Sequence, residues 1–320
     1  AHLRGYLERA MTLTLTFLGT GAAIPSLDRN VASLALAREG ETLLFDCGEG
    51  TQRQMMRYGV SFAVRDVFFT HFHADHLLGL TGLVRTLGLQ DRTDPLRLYG
   101  PRGARRVLEH ALAVGIERNK FPVQIEELAP VDRVSRQDYD VVAVEADHRA
   151  PTLAYVLVEH TRLGRFQPER VRELGVPEGP LWGRLHRGET VDLPDGRRVG
   201  PTDLVGPPRP GRKVVISGDT RPSPVIGAAA AGADLLVHEA TFSAEESEKA
   251  DLTGHSTAAD AAGIARDAGV RRLILTHISA RYTREAPELL AEAQAIFPAS
   301  MVARDGLIVD VPFPDAEAAP

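Results

Sequence analysis

The sequence predicts an α/β layered fold, and three observations support that prediction. Short runs of β-branched and apolar residues recur along the chain, and most of them end in a polar residue or glycine, as buried strands do. Segments with helical periodicity lie between these runs, which is the pattern of an α/β core. Hydrophobic residues make up 43% of the chain and charged residues 25%, a composition typical of a folded protein rather than a disordered one.

The individual elements follow from these runs. The predicted strands are LTLTFLG (13–19), TLLFD (42–46), DVFFTH (66–71), LRLYG (96–100), VVAVEAD (141–147), KVVISGD (213–219), DLLVHE (234–239) and RLILTH (272–277). The predicted helices cover residues 77–88, 102–115, 223–231, 257–268 and 285–296, and either Ser256 or Thr257 is expected to cap the fourth of them.

The segment from about 162 to 211 interrupts this pattern. Fifteen of the 37 positions between 175 and 211 are Gly or Pro, too many for a packed core element, so we expect an extended, hairpin-like arm that protrudes from the globule. Residues 160–213 contain eleven Lys or Arg and seven Asp or Glu, a local net charge of +4 in a chain whose net charge is −6. The arm is therefore predicted to be a basic projection on an acidic protein.

Several classes of protein are disfavoured by composition. The net charge of −6 argues against a surface coated with positive potential for nucleic acid. No run approaches the roughly 20 apolar residues of a membrane helix, and no signal pattern stands at the N-terminus, so a cytoplasmic location is expected. We interpret residues 1–10 as a leader, a tag remnant or an over-called start before Met11, and residues 11–320 as one domain carrying the arm.

The hexapeptide HFHADH at 71–76 predicts a metal site. It places His71, His73, Asp75 and His76 in six positions, although the chain has only 11 histidines among 320 residues. Alternate residues of an extended segment point the same way, so the first two histidines can hold one ion while the following pair is directed toward a second. The single cysteine, Cys47, excludes a multi-cysteine zinc site, so nitrogen and oxygen must be the ligands.

Two four-coordinate ions need more ligands than this hexapeptide supplies. Three candidates stand at the ends of other predicted strands: His148, Asp219 and His277. Each alone could be an ordinary loop residue, but their shared position at the ends of apolar runs makes coincidence much less probable. The sequence thus predicts a metal centre assembled from several strand ends.

HFHADH, together with FLGTG and FDCGEGTQRQM before it and SGDT and LTHISARY after it, resembles the metallo-β-lactamase superfamily. The resemblance is strongest to the short-form ribonuclease Z branch, the tRNA 3′-processing endonucleases, and runs from about residue 12 to 310. It implies an αββα sandwich with two zinc ions at one edge of the paired sheets. It implies a ligand set in which His71, His73 and His148 hold the first ion, Asp75, His76 and His277 the second, Asp219 bridges them, and Asp46 orients a ligand histidine.

Other motifs resemble that branch specifically. HEAT at 238–241 contains Glu239 and GHST at 254–257 contains His255, and the resemblance implies that this pair protonates the leaving oxygen. Asp75 is expected to act catalytically as well, by accepting a hydrogen bond from the nucleophile. PSLDRN at 25–30 resembles the P-x-K-x-R-N loop near the substrate 3′ end: Arg29 and Asn30 match, whereas Leu27 replaces the lysine. A cation that the resemblance would place near the CCA end is therefore missing.

The function implied by the resemblance is removal of the 3′ trailer from precursor tRNA, which leaves a 3′-hydroxyl on the tRNA and a 5′-phosphate on the trailer. The arm looks like the family's tRNA-binding exosite, and the resemblance also implies a homodimer. Phosphate contacts far from the cut should make binding sensitive to salt. The candidate contacts are Arg162, Arg165, Arg184, Arg187, Arg197 and Arg198.

Three alternatives share parts of this pattern. A di-zinc hydrolase of small esters or lactones would have the same ligands but no use for the arm. A non-catalytic RNA-binding protein would not need His255. A redox di-iron protein on the same fold is disfavoured by the intact HFHADH and by the absence of a flavin domain from the sequence.

Overall fold

The computed structural model describes residues 12–314 apart from 117, 163, 165–166, 187, 194, 201–202 and 205. The predicted leader at 1–10 and the candidates Arg165 and Arg187 lie outside the described residues. The chain divides into two compact units. The first contains the residues up to Val158 and Arg212–Pro312, and the second contains Glu159–Gly211 with Phe313 and Pro314.

The first unit contains most of the regular structure. Its strands are β1 (Leu13–Gly19), β2 (Gly21–Ala22), β3 (Ser33–Arg38), β4 (Glu41–Phe45), β5 (Val64–Phe68), β6 (Leu96–Gly100), β7 (Val123–Glu127), β8 (Arg133–Ser135), β9 (Tyr139–Glu145), β10 (Leu153–Glu159), β13 (Lys213–Ile216), β14 (Leu235–Glu239), β15 (Leu273–Thr276), β16 (Ile278–Ser279), β17 (Ser300–Val302) and β18 (Ile308–Asp310). Its helices are α1 (Thr51–Tyr58), α2 (Ala74–Leu77), α3 (Leu80–Leu89), α4 (Ala104–Leu112), α7 (Pro224–Ala230), α8 (Ser247–Thr253), α9 (Ala258–Asp267) and α10 (Pro287–Ile296). The second unit contains α5 (Pro168–Glu173), α6 (Pro180–His186), β11 (Val191–Asp192) and β12 (Arg198–Val199).

Two seven-stranded sheets form the centre of the first unit. Their strand orders are β18-β1-β3-β4-β5-β6-β7 and β17-β15-β14-β13-β10-β9-β8. Strands β4 to β7 are parallel in the first sheet, and β13, β14, β15 and β17 are parallel in the second. Antiparallel strands complete both sheets, for example β3 beside β4 and β10 beside β13.

The layers are explained by the alternation of side chains along each strand. In β4, Leu43 and Phe45 point into the core between the sheets, whereas Leu44 packs with Met55 of α1 and Leu83 of α3 on the outer face. Because successive strand residues face opposite sides, a strand of consecutive apolar residues is buried on both faces. Helices therefore cover each sheet on its outer side, and the predicted αββα sandwich is confirmed.

The helix layer on the second sheet contains many alanines. Four buried alanines of α9, at 258, 261, 262 and 265, pack against the strands, and their small side chains allow close approach. Thr257 caps this helix: its Oγ1 accepts a hydrogen bond from Asp260 N at 3.1 Å, and the Asp260 carboxylate accepts one from Thr257 N at 3.0 Å. Of the two caps that the sequence allowed, Ser256 and Thr257, the structure shows Thr257.

Strands leading to the metal centre end earlier than the sequence predicted. The expectation that a strand reaches Thr70 is wrong, because β5 ends at Phe68 and Thr70 N donates to the carboxylate of Asp46 at 2.7 Å instead of to a neighbouring strand. Asp46 and His277 both have positive φ, 58° and 56°, so the backbone turns sharply as it leaves β4 and β15. The helix predicted at 77–88 is divided into α2 and α3.

The second unit has a small core of its own, which its Gly and Pro content did not predict. That core contains Val171, Val176, Leu185, Val191, Leu193, Val199 and Leu204. β11 and β12 form a two-stranded antiparallel hairpin. Where the segment begins and ends, Arg162 and Arg209 exchange backbone hydrogen bonds of 2.8 and 3.0 Å, and a Cβ on Gly164 would lie 1.8 Å from the carbonyl oxygen of Gly206, so the two chain ends meet closely there.

Across the part of the chain that the structure describes, every helix is too short or too polar to cross a bilayer.

Candidate metal centre

The seven side chains predicted as metal ligands meet at one edge of the paired sheets. Potential ligand atoms within 4.8 Å of one another form three overlapping groups. These groups are His71, His73, His148 and Asp219; Asp75, His76 and His277; and Asp219, His255 and His277. The loops after β5, β9, β13 and β15 supply most of these residues, so both sheets contribute.

Within each of the first two groups, the potential ligand atoms lie close enough together to contact one ion. His73 Nδ1 lies 2.9 Å from His71 Nε2 and 3.4 Å from His148 Nε2. In the second group, Asp75 Oδ2 lies 3.4 Å from Nε2 of both His76 and His277. Each group therefore presents three ligand atoms to one point.

Asp219 connects the two groups. Its Oδ2 lies 3.6 Å from His71 Nε2 and 3.4 Å from Nε2 of both His76 and His277. Its Oδ1 is buried and has no hydrogen-bond partner among the described residues. A buried carboxylate oxygen without a donor is costly unless a cation satisfies it, so this residue fits a bridging ligand.

Two of the histidines have their tautomers set by acceptors that carry no proton. His76 Nδ1 is 2.7 Å from Asp46 Oδ2, and His148 Nδ1 is 2.6 Å from the Gly254 carbonyl oxygen. Because a carboxylate and a carbonyl can only accept, each Nδ1 carries a proton, and in the neutral form of each ring Nε2 is the nitrogen left to bind a metal. The position predicted for Asp46, beside a ligand histidine, is what the structure shows.

Threonines do the same for two others. Thr70 Oγ1 donates to Asp46 at 2.9 Å and therefore accepts from His71 Nδ1 at 3.0 Å. Thr241 Oγ1 donates to Glu239 at 2.7 Å and accepts from His277 Nδ1 at 3.0 Å. A ligand histidine whose other nitrogen donates to a fixed acceptor is the usual arrangement around a bound metal.

Nε2 of His76 and Nε2 of His277 meet directly in this centre. These two atoms lie 3.2 Å apart, so a proton or a metal cation must be shared between them. Burial lowers the pKa of His76, but the charges of Asp219 and Asp46 outweigh burial and raise it, which shows that this position favours positive charge. Burial lowers the pKa of His71, His73 and His148, which keeps these rings in the neutral form that ligates metals. The residues therefore fit a metal bound by nitrogen and oxygen, which is the ligand chemistry that suits zinc.

His255 and Glu239 form a pair beside the centre. His255 Nδ1 is 2.8 Å from Glu239 Oε1, and its ring centroid is 5.0 Å from that of His148 and 5.4 Å from that of His277. Burial of the ring favours its neutral form, but the hydrogen bond and charge of Glu239 outweigh burial and raise the pKa of His255. His255 Nε2 has no hydrogen-bond partner among the described residues.

Glu239 is held rigidly. It is 1% exposed, and besides His255 it accepts hydrogen bonds from Thr220 N, Thr241 N and Thr241 Oγ1 at 2.7 to 3.1 Å. Because Glu239 engages Nδ1, Nε2 is the nitrogen of His255 that is available to transfer a proton or to bind a metal.

The chain that leads into the P-x-K-x-R-N-like loop contacts the second group, since Ala23 N donates to Asp75 Oδ2 at 2.8 Å two residues before the loop begins. The guanidinium of Arg29 does not face the substrate side. It is 3% exposed and donates to the carbonyl oxygens of Ala303 and Arg284 at 2.7 and 2.6 Å, so it holds the loop in place. Asn30 Nδ2 donates to the Glu49 carbonyl at 2.8 Å, and Leu27 is fully exposed.

In the second unit, described candidate arginines have partners within that unit. Arg184 pairs with Glu189 at 2.9 Å and Arg198 with Asp192 at 3.0 Å. Arg197 pairs with Asp195 at 2.6 Å, and Arg162 lies over the ring of Phe313. The basic charge of this segment is thus partly neutralised locally.

Sequence reasoning missed the residues that set the tautomers. Thr70 and Thr241 lie directly beside the motifs, before HFHADH and as the last residue of HEAT, so adjacency was an available signal. No local signal indicated the Gly254 carbonyl, because it meets His148 from 106 positions away.

Comparisons with known proteins agree with this geometry. Residues 204–278 match the profile of the β-lactamase superfamily domain, and residues 13–162 match that of the anti-Pycsar protein Apyc1. The chain is 56% identical over 303 residues to a ribonuclease Z of Gemmatimonas aurantiaca, covering 94% of this chain and 96% of that protein. It is 55% identical over 304 residues to a ribonuclease Z of Myxococcus xanthus, covering 95% and 99% respectively.

A solved structure extends the comparison to three dimensions. The crystal structure of human tRNase Z, short form, superposes with a TM-score of 0.68 at 29% identity, covering 94% of this chain and all of that one. Identity above half along nearly the whole length of both relatives confirms the resemblance that the motifs indicated. This chain belongs to the ribonuclease Z family.

Proposed function

We propose that this chain is a zinc-dependent endoribonuclease that removes the 3′ trailer from precursor tRNA. The products are a tRNA with a 3′-hydroxyl and a trailer with a 5′-phosphate. The observation that carries the proposal is the His255–Glu239 pair: a histidine with one nitrogen fixed at 2.8 Å by a buried carboxylate and the other left free beside the ligand cluster. A leaving ribose oxygen needs such a proton donor.

Two zinc ions would be bound by the residues described above. His71, His73 and His148 would hold one ion, and Asp75, His76 and His277 the other, with Asp219 shared between them. When bound, such an ion pair activates a water for attack on phosphorus and neutralises the charge that develops on the phosphoryl oxygens.

The chain itself supplies orientation and a proton. His255 Nε2 protonates the departing ribose 3′-oxygen, and Glu239 stabilises the charged imidazole and prevents its rotation. Asp75, in addition to its place among the ligands, accepts a hydrogen bond from the attacking water and so directs it. Asp46 fixes the ring of His76 through the bond at 2.7 Å.

Recognition of tRNA is assigned to two places. The loop at 25–30, with Asn30 at its base and Arg29 as its internal anchor, lies beside Asp75 and would meet the tRNA 3′ end. Arg184 and Arg187 of the second unit would contact tRNA phosphates away from the cut, which makes affinity depend on salt. A homodimer, in which one subunit presents tRNA to the other, and a cytoplasmic location, where precursor tRNA is the substrate, belong to the same proposal.

The test is to map one cut. Zinc-loaded protein is incubated with a precursor tRNA bearing a 3′ trailer, with and without CCA, and both new ends are identified at nucleotide resolution. We expect a single endonucleolytic cut, a 3′-hydroxyl on the tRNA and no product from metal-stripped protein. Stepwise trimming from the 3′ end, or unchanged RNA, would refute the proposal.

A further inference from the structure

A second feature of the first unit adjoins the metal centre. It is an open groove of about 970 Å³, near the upper end of the range for ligand sites, and His148 forms part of its wall. Five prolines line it, at 101, 130, 151, 222 and 224, so much of the wall is apolar and lacks backbone donors. The groove thus leads from a predicted metal ligand to solvent.

Carboxylates in the wall are mostly engaged by the protein. Glu127 Oε1 accepts from the backbone nitrogens of Gly103 and Arg105 at 3.1 Å. Asp132 accepts from Ala129 N at 2.8 Å, and Asp147 pairs with Arg221 at 3.1 Å. Glu145 is the remaining acidic residue of the wall. Three of these four carboxylates are therefore held in fixed positions by the protein, and Asp147 also has a cation beside it.

Two arginines of the groove wall differ from those three carboxylates, because they have no partner among the described residues. Arg102 and Arg149 are exposed, and neither has an ion pair or hydrogen bond within the described part of the chain. Arg149 follows His148, and its stem packs on Gly254, where an added Cβ would lie 3.0 Å from the arginine Cγ. The Gly254 carbonyl oxygen also accepts a hydrogen bond from His148 Nδ1. Arg149 is therefore anchored beside a predicted metal ligand and beside the segment 254–257, which contains His255.

We propose that this groove binds the first nucleotides of the 3′ trailer, with Arg149 and Arg102 contacting their phosphates. The inference rests on the proposed function, because it assigns a place to the trailer of the same precursor whose tRNA 3′ end is assigned to the loop at 25–30. Ala23, two residues before the loop at 25–30 that is assigned to the tRNA 3′ end, contacts the centre at Asp75, whereas the groove meets it at His148 in the other ligand group. An RNA strand crossing the centre from one group to the other would enter the groove on the trailer side.

The test compares two precursors that differ only in trailer length, one carrying a single trailer nucleotide and the other several. In the parent protein we expect the longer trailer to be preferred in kcat/KM. Replacing both arginines, Arg102→Ala with Arg149→Ala, should lower the ratio of long-trailer to short-trailer kcat/KM by about tenfold. The salt slope of log KM for the long trailer should fall by roughly 0.7 for each lost phosphate contact.

Matched variants separate charge at the groove from charge in general. Arg106→Ala removes one positive charge, as each single substitution at the groove does, from an exposed position of α4 that does not line the groove, and the length ratio should stay at the parent value. Arg102→Lys with Arg149→Lys keeps the charge, so the salt slope should be retained.

Three results would overturn the inference. In the first, the double alanine variant keeps the length ratio and salt slope of the parent. In the second, it loses activity equally on both precursors, which would assign the arginines to the tRNA body. In the third, the parent cuts no precursor at all; this refutes the proposed function as well, whereas the first two leave that function intact.

Discussion

The two units of this chain hold their polar residues in opposite ways. In the first unit, Glu239 is 1% exposed and accepts four hydrogen bonds from protein groups at 2.7 to 3.1 Å. In the second, the Arg198–Asp192 pair has side chains that are 74% and 72% exposed. The first arrangement fixes atoms for chemistry, and the second leaves charges free to exchange an intramolecular partner for another anion.

The cores of the two units differ in the same sense. Two seven-stranded sheets with helices on both outer faces support the metal centre. The second unit has one small aliphatic cluster, two short helices and strands of two residues each. Elements with few buried contacts open at low free-energy cost, which suits a segment that adapts to a large ligand more than one that positions reacting atoms.

The largest effect is expected from a substitution in the first unit, and it tests whether a side chain fixed there takes part in the chemistry. His255→Ala should reduce the single-turnover rate on precursor tRNA by roughly 10²- to 10⁴-fold, the usual contribution of a general acid, while tRNA affinity stays near that of the parent. His110→Ala, at an exposed histidine of α4, is the control and should cut normally. Equal turnover of the His255 variant and the parent would exclude the proton-donor assignment.

The next largest effect is expected from a deletion in the second unit, and it tests whether that unit contributes to tRNA binding. Removing residues 165–205 and joining Gly164 to Gly206 should be tolerated, because the backbones already meet there and Arg162 and Arg209 bridge them. We expect kcat/KM for precursor tRNA to fall about a hundredfold through lost phosphate contacts and avidity, with hydrolysis of a small phosphodiester retained. A di-zinc hydrolase of small esters would instead show no activity on tRNA before the deletion, and loss of both activities would show that the segment supports the centre.

The smallest effect sharpens the contrast between buried and exposed arginines. Arg29→Met leaves the buried carbonyl oxygen of Ala303 and the partly buried one of Arg284 without their arginine donor, so it should lower the free energy of unfolding by about 3 kcal/mol. Arg198→Met removes an exposed pair and should change it by no more than about 0.5 kcal/mol. Denaturant midpoints of the two variants, compared with that of the parent, measure the difference. Similar midpoints would mean that the Arg29 network contributes little.

Motif reading succeeded where chemistry is local in the chain. HFHADH and HEAT each place a reactive side chain at the end of an apolar run, and such runs form strands whose ends meet at one edge of a sheet. The seven predicted ligands are together in the structure for that reason. GHST instead follows the helix Ser247–Thr253, and the motif alone indicated His255. The motif match did not predict the burial of Arg29, which was expected to contact the substrate. A motif match does not reveal whether a side chain faces solvent or the carbonyl oxygens of residues about 255 and 274 positions away.

The candidate ligands and the layered fold could be predicted from the amino-acid order, the first through motifs that resemble the ribonuclease Z family and the second through apolar runs that alternate with helical segments. The protonation of those ligands could not. It depends on Thr70, Thr241 and the Gly254 carbonyl meeting particular ring nitrogens, and on Nε2 of His76 and Nε2 of His277 facing each other across 201 positions of chain. Only folding brings these atoms within hydrogen-bonding distance, and only then do the ring nitrogens and the carboxylates of Asp75 and Asp219 define a place for positive charge.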